Sequence, residues 1–177
     1  MKNIILLSAV CTLSIGMATP SLAQTATMIR QQQNQQAQAL IDDWVDYKLN
    51  EKQVADRLEI ARKEFAQLKP ENTVVSEQQI LNLSKDAKRV SLDGLKQLKP
   101  RTVEVQQLVH MKMQFTEQTF DFMINEMTKP VHTQSKKQQE QYLSKYAQLT
   151  KLTKEIKQHE ERIETQVWQN LKQQQKS

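Results

Sequence analysis

Glycine is close to missing from this chain. Only Gly16 and Gly94 occur in 177 residues, against a usual share of ~7%. Tight turns, phosphate-cradling loops and strained nucleophile elbows need backbone at positive φ, and glycine is its default supplier. Dinucleotide-binding folds, P-loop nucleotide hydrolases and all-β sandwiches are set aside on that ground. Cysteine is scarcer still: Cys11 stands alone. Aromatic residues make up 5% of the chain, and proline occurs four times.

Lys2 followed by an apolar stretch from Ile4 to about Ala18, then Ser21-Leu22-Ala23, has the form of a secretory signal with small residues at the −3 and −1 positions. Cleavage is expected before Gln24. The apolar run is short for a membrane span. Cys11 follows Val10 inside that run, not a small residue at a cleavage junction, so lipidation is rejected. The expected mature chain, 24–177, then contains no cysteine, which removes disulfides and thiolate metal sites. A soluble exported protein is expected, periplasmic with full secretion as the alternative.

Three Lys-Pro pairs punctuate the remainder: Lys69-Pro70, Lys99-Pro100 and Lys129-Pro130. Proline cannot continue a helix and excludes the α region for the residue before it, so each pair marks a helix end. The preceding lysine complements the negative end of the helix dipole. Between the marks the apolar period is helical. Ala37, Leu40, Trp44, Tyr47, Glu51, Val54, Leu58, Ala61, Phe65 and Leu68 alternate steps of three and four, a heptad seam in which Glu51 is the one polar member. The second segment opens on Ser76 and Gln79, spaced as a capping box, and runs through Ile80, Leu83, Ala87, Val90, Gly94 or Leu95, and Leu98. The third carries a wider apolar face, with Val105, Leu108, Val109, Met113, Phe115, Phe120, Met123, Ile124 and Met127. A second box, Ser135 and Gln138, opens the fourth, followed by Tyr142, Tyr146, Leu149, Leu152, Ile156, Ile163, Val167 and Leu171.

The expectation is an all-α, antiparallel four-helix bundle with helices at about 28–68, 76–98, 102–128 and 135–175. The first and fourth are longest, at ~60 Å each. They are expected to project together as a two-helix coiled-coil stem with glutamine-rich tips.

The net charge of +5 is concentrated in the fourth segment, where residues 131–177 hold nine basic and five acidic side chains. Acidic residues interrupt the run, so a solvated face with i,i+4 pairs is the plain reading and an anionic partner surface the alternative. Export argues against nucleic acid. The candidate partner-contacting residues are Trp44 and Trp168, taken to lie on projecting elements, with Lys151 and Lys154.

Catalytic and metal-binding signatures are thin. His110, His132 and His159 are not spaced as shared metal ligands. The Glu-x-x-His of carboxylate di-iron bundles is replaced by Gln107 before His110 and Ile156 before His159. Four methionines, Met111, Met113, Met123 and Met127, gather in the third helix. His110 with Met113, and Met123 with Met127, could hold Cu(I) or serve as haem axial ligands, while adaptable core packing accounts for the same residues. His159 shares a phase with Ile156 and Ile163 and is expected to face helix one near Trp44 as a satisfied interface histidine, with a pH-responsive contact as its other reading. Asp42 and Asp43 are adjacent and fall on different helix faces, so they make no acid–base pair. No enzyme activity, cofactor or small-molecule substrate is expected.

Small exported helical chaperones are similar in size, but the Leu-Thr-x-x-Gln repeat of one such group is not completed at Leu149-Thr150 or Leu152-Thr153. The sequence therefore points to a non-enzymatic exported protein acting by protein–protein or self association, as scaffold, adaptor or chaperone. The alternative is a Cu(I) or haem carrier using the Met/His face of helix three.

Overall fold

The structure is a computed structural model that describes residues 22–67, 76–129 and 135–175. Residues 1–21 of the expected signal, with Cys11 and Gly16, lie outside these, as do Leu68, Pro70, Pro130 and His132 and the side chain of Phe65. Four α-helices account for nearly all described residues, with no strand among them: α1 (Leu22–Gln67), α2 (Glu77–Gln97), α3 (Val103–Thr128) and α4 (Lys136–Gln174). The chain divides into two compact units, Met1–Gln33 and Asn34–Ser177. In the first, the described residues are the opening turns of α1, where Met28 and Ile29 are exposed. Everything below concerns the second, a helical bundle in which α3 packs closely on both α2 and α4.

The ends of the helices follow from local chemistry. Both Ser-x-x-Gln boxes form. Ser76 Oγ accepts from Gln79 N at 3.2 Å while Ser76 N donates to Gln79 Oε1 at 3.0 Å. Likewise Ser135 N donates to Gln138 Oε1 at 2.9 Å. Each box satisfies N–H groups that the first helical turn leaves unpaired. At Pro100 the chain leaves α2 in extended backbone at Leu98 and re-enters helix at Val103. Thr102, the N-cap of α3, makes no side-chain cap bond of its own; its backbone N–H and hydroxyl are held by a residue of α1, described below.

The core is local. Leu40, Ile41, Trp44 and Tyr47 from α1 meet Val105, Leu108 and Val109 from α3 and Ile156, Ile163 and Val167 from α4. Leu95 is buried as well, on α2. These are the seam positions of α1 and the 3–4 spaced positions of α4, as amphipathic helices require. Tyr47, Leu108 and Ile163 are wholly enclosed, each contributing ~1.5–3 kcal/mol of apolar burial. Beyond this cluster burial is incomplete. No described residue of α1 after Tyr47, of α2 before Gly94, of α3 after Val109 or of α4 before Ile156 is fully buried. The bundle is tightly closed over part of its length and loosely packed over the rest.

Gly94 sits where α2 meets α1. A Cβ built on it would run into the Val54 Cγ2 methyl, and Asn50 Nδ2 donates to its carbonyl oxygen at 2.9 Å. The missing side chain is what lets the two backbones approach. Gly94→Ala would gain ~1 kcal/mol of helix propensity but lose ~1–3 kcal/mol to overpacking against Val54. The steric cost wins, so the variant unfolds at lower urea than the wild type. Adding Val54→Ala restores part of the difference, since the clash is with that methyl.

Candidate functional site

Two polar knots tie the helices together beside the apolar core. The first is built on Asp43, the only acidic residue that is buried among the described residues. Its Oδ2 accepts from the backbone N–H groups of Arg101 and Thr102 and from Thr102 Oγ1, each at 2.7 Å. Arg101 Nε reaches Oδ1 at 3.3 Å, and the same guanidinium bonds Asp42 Oδ2 at 2.9 Å. A carboxylate from α1 therefore takes the N–H of the N-cap residue Thr102 and of Arg101 before it, the place that the Glu or Gln of a local capping box fills for the N-cap N–H. Burial pushes the Asp43 pKa up, but the bonds from Thr102 and Arg101 outweigh it and hold the group below the ordinary carboxylate value. Asp42 and Asp43 do point to different sides of α1, yet Arg101 gathers both.

The second knot joins α1, α3 and α4. The single hydroxyl proton of Tyr47 lies between Glu160 Oε1 at 2.6 Å and Glu51 Oε1 at 2.8 Å. Lys112 Nζ bridges the same two oxygens, at 2.9 Å from Glu51 and 3.0 Å from Glu160. Lys48 completes the set, donating to Glu51 Oε2 at 2.9 Å. Two carboxylates and two ammonium groups cancel, which is what a partly buried cluster needs if it is to hold charge away from water.

Each resolved shift in this knot leads away from neutral pH. Desolvation, reinforced by hydrogen bonding to Glu160 and the charge of Glu51, raises the Tyr47 pKa. Desolvation would raise Glu51, but bonds from Lys48, Lys112 and Tyr47 lower it overall. Desolvation would lower Lys112, but Glu51 and Glu160 raise it. Groups that exchange protons in catalysis have pKa values near the working pH; these three keep their ordinary charge states more firmly than in water.

Trp44 is not displayed for a partner. It is 7% exposed, its ring stacked on Tyr47 at 5.5 Å between centroids and covered by Lys48 Nζ at 4.7 Å. The seam turns it into the core between Leu40 and Tyr47, so it is removed from the partner-contacting set. Trp168 is 57% exposed. Lys151 and Lys154 are exposed too, Lys151 pairing with Glu155 at 3.7 Å. Trp168 is 14 residues beyond Lys154 on α4, ~21 Å along the axis, so these three do not form one patch.

His110 is exposed and shares a shallow surface depression with Gln106, Gln107 and Met111. Met111 and Met113 pack against the core, while Met123 stands half exposed ten residues, or ~15 Å, further along α3. The four candidate ligands His110, Met113, Met123 and Met127 thus fall into two separate pairs, and Met113 is engaged in packing. Among the described residues no group of three or more His, Cys, Asp or Glu side chains is placed to hold a metal. His159 is buried, and its partner is not on α1. Nε2 lies 2.8 Å from the Glu104 carbonyl oxygen of α3; a carbonyl only accepts, so that nitrogen carries the proton. No helix among the described residues is long and apolar enough to cross a membrane.

Sequence reasoning missed Arg101, Thr102, Lys112 and Glu160. One signal was present: Glu51 as the lone polar member of an apolar seam asks for a partner of opposite charge.

The knots make separable predictions. Asp43→Ala strands the Arg101 and Thr102 donors and costs ~2–4 kcal/mol, read by urea denaturation. Because Asp43 and Glu51 are depressed in the folded state, the stability they contribute is complete above the unfolded value near ~4 and drains as pH falls through the folded values. The wild-type unfolding midpoint should therefore drop on the acid side, and Asp43→Ala should flatten that limb. Lys112→Met leaves two carboxylates sharing Lys48 alone, at 2.9 Å from Glu51 and 3.8 Å from Glu160, which favours the protonated form of one of them. It costs ~1–3 kcal/mol at pH 7, and unlike the wild type the variant gains stability between about pH 7 and 5 as that carboxyl takes up a proton.

Compared with known proteins, the chain matches no family model, no curated protein and no solved structure.

Proposed function

We propose that this chain is an exported, non-enzymatic helical protein of the cell envelope that works by association, with another protein or with a second copy of itself, as a scaffold, adaptor or chaperone. The observation that carries this reading is a second apolar row on α1. The helix already gives Leu40, Trp44 and Tyr47 to the core, yet Val45, Leu49 and Ile60 are 47%, 53% and 56% exposed. At ~100° per residue these three fall within an arc of ~60°, Val45 and Leu49 one turn apart and Ile60 beyond the exposed Asp56, which shares the arc. A helix apolar on two sides has the pattern of one with two neighbours, and exposed apolar rows of this kind mark interaction surfaces. Trp168 adds a large aromatic ring in water, the residue type most enriched where binding energy concentrates.

The finer architecture belongs to the same proposal: an up-down-up-down bundle whose long α1 and α4 continue as a two-helix stem. The contact order supports it. Tyr47 meets Glu160 and, nearer the start of α1, Gln38 accepts from Gln174 Nε2 at 3.1 Å, so one number rises as the other falls.

The test is mass in solution combined with crosslinking in intact envelopes. The wild type is expected to form a dimer or a specific crosslinked complex. Val45→Arg with Leu49→Arg, both at exposed positions, should leave helicity and melting unchanged and weaken association by about tenfold or more. A protein that stays monomeric at tens of micromolar and gives no specific crosslink sinks the reading.

A further inference from the structure

Where α3 and α4 lie side by side away from the core, a cleft of about 470 Å³ opens between them, within the ~300–1,000 Å³ of small-molecule sites. Its lining is unusual in kind. Five side-chain amides face it: Gln118 and Asn125 from α3, and Gln138, Gln141 and Gln148 from α4. Gln118 and Asn125 are seven residues apart, as are Gln141 and Gln148, so each pair repeats after two helical turns on one face. The α4 row spans ~15 Å, the rise of the ten residues from Gln138 to Gln148, and the α3 row ~10 Å, the rise of the seven from Gln118 to Asn125. Gln138 is fixed by its capping box, with Oε1 taking the Ser135 N–H at 2.9 Å.

Aromatic surface completes the site. Phe122 and Tyr142 line the cleft in mutual contact, their centroids 4.4 Å apart. Tyr146 flanks them, 6.3 Å from Phe122 and 59% exposed. The charged residues of the lining, Asp121, Glu126, Lys129 and Lys145, balance two against two, and Asp121 is already paired with Lys88 of α2 at 2.6 Å.

We propose that this cleft binds a neutral saccharide of two or three sugar units. A side-chain amide offers two donors and an acceptor, and Gln138, whose oxygen is taken by Ser135, keeps its two donors; together these complement a ring of hydroxyls that both donate and accept. The negative face of an aromatic ring attracts the slightly positive C–H faces of a sugar. A balanced lining gives no preference to an ion, and an apolar ligand would strip water from the amides without replacing its bonds. The shorter amide row, on α3, matches two pyranose units laid end to end, and the longer one, on α4, three. The inference is independent of the association proposed above, which uses α1 and Trp168.

Isothermal titration and saturation-transfer NMR of the full chain decide it, with maltotriose, cellotriose and N,N′-diacetylchitobiose as neutral probes, a trialanine peptide for the competing amide ligand, and Gln141→Leu with Gln148→Leu as the variant. Both positions are exposed, so folding is expected to survive and is checked by circular dichroism. At least one neutral saccharide should bind saturably, and the double variant should weaken it by about tenfold per lost hydrogen bond of net ~1.4 kcal/mol. Trp168→Ala should leave saccharide affinity unchanged while altering association. Binding of the peptide but none of the sugars overturns the proposal, as does saccharide affinity unmoved by the double variant.

Discussion

Because Asp43 is sealed from solvent and accepts four hydrogen bonds from Arg101 and Thr102, any shift of α1 against the beginning of α3 that keeps the carboxylate buried but loses these donors leaves a charge unpaired. Leaving a buried charge unpaired costs far more than the net gain of making one hydrogen bond. The turn after Pro100 has no cap of its own, so the start of α3 exists in its present form only while α1 is there to finish it. Closure of the core follows. Val105, Leu108 and Val109 stand within the first two turns of α3, and fixing that helix end places all three against Trp44 and Tyr47.

From this joint the packing grades outward. Around Leu40–Tyr47, Gly94–Leu95, Val105–Val109 and Ile156–Val167 side chains are enclosed; further along every helix no described residue is fully buried. Such a gradient distributes stability unevenly, since local opening is cheapest where few apolar groups are buried. The surfaces with chemistry to offer lie on the outer side of the enclosed region, at Val45, Leu49 and Trp168, and beyond it, in the Met123 and Tyr146 neighbourhood of α3 and α4 and at Ile60 of α1.

How far the sequence led can be judged from particular residues. The four helices, the Ser76 and Ser135 boxes and the inward setting of Leu40, Tyr47 and Ile163 were legible because period and capping act within a few positions. Gly94 was legible too, since a lone glycine on an apolar stripe has few reasons to be there. What escaped was pairing across the chain. Asp43 with Arg101 spans 58 positions and Tyr47 with Glu160 spans 113, and periodicity says which face a residue occupies, not what waits opposite. Trp44 shows the same limit from the other side. Its seam membership was plain, but its assignment to a projecting element assumed where the bundle stops.

A heptad seam by itself is degenerate. Slid along its neighbours by one repeat, α1 would again present apolar residues to apolar residues, and hydrophobic burial would hardly notice. The Glu51 knot and the Gly94 notch remove that freedom. A slip of one turn, ~5.4 Å, would carry Glu51 out of reach of Lys112, while setting a residue with a side chain against Val54 in place of the glycine. One index is electrostatic and the other steric. Together they make the alignment of α1 single-valued, in the way that two pins locate a plate that one pin would let slide.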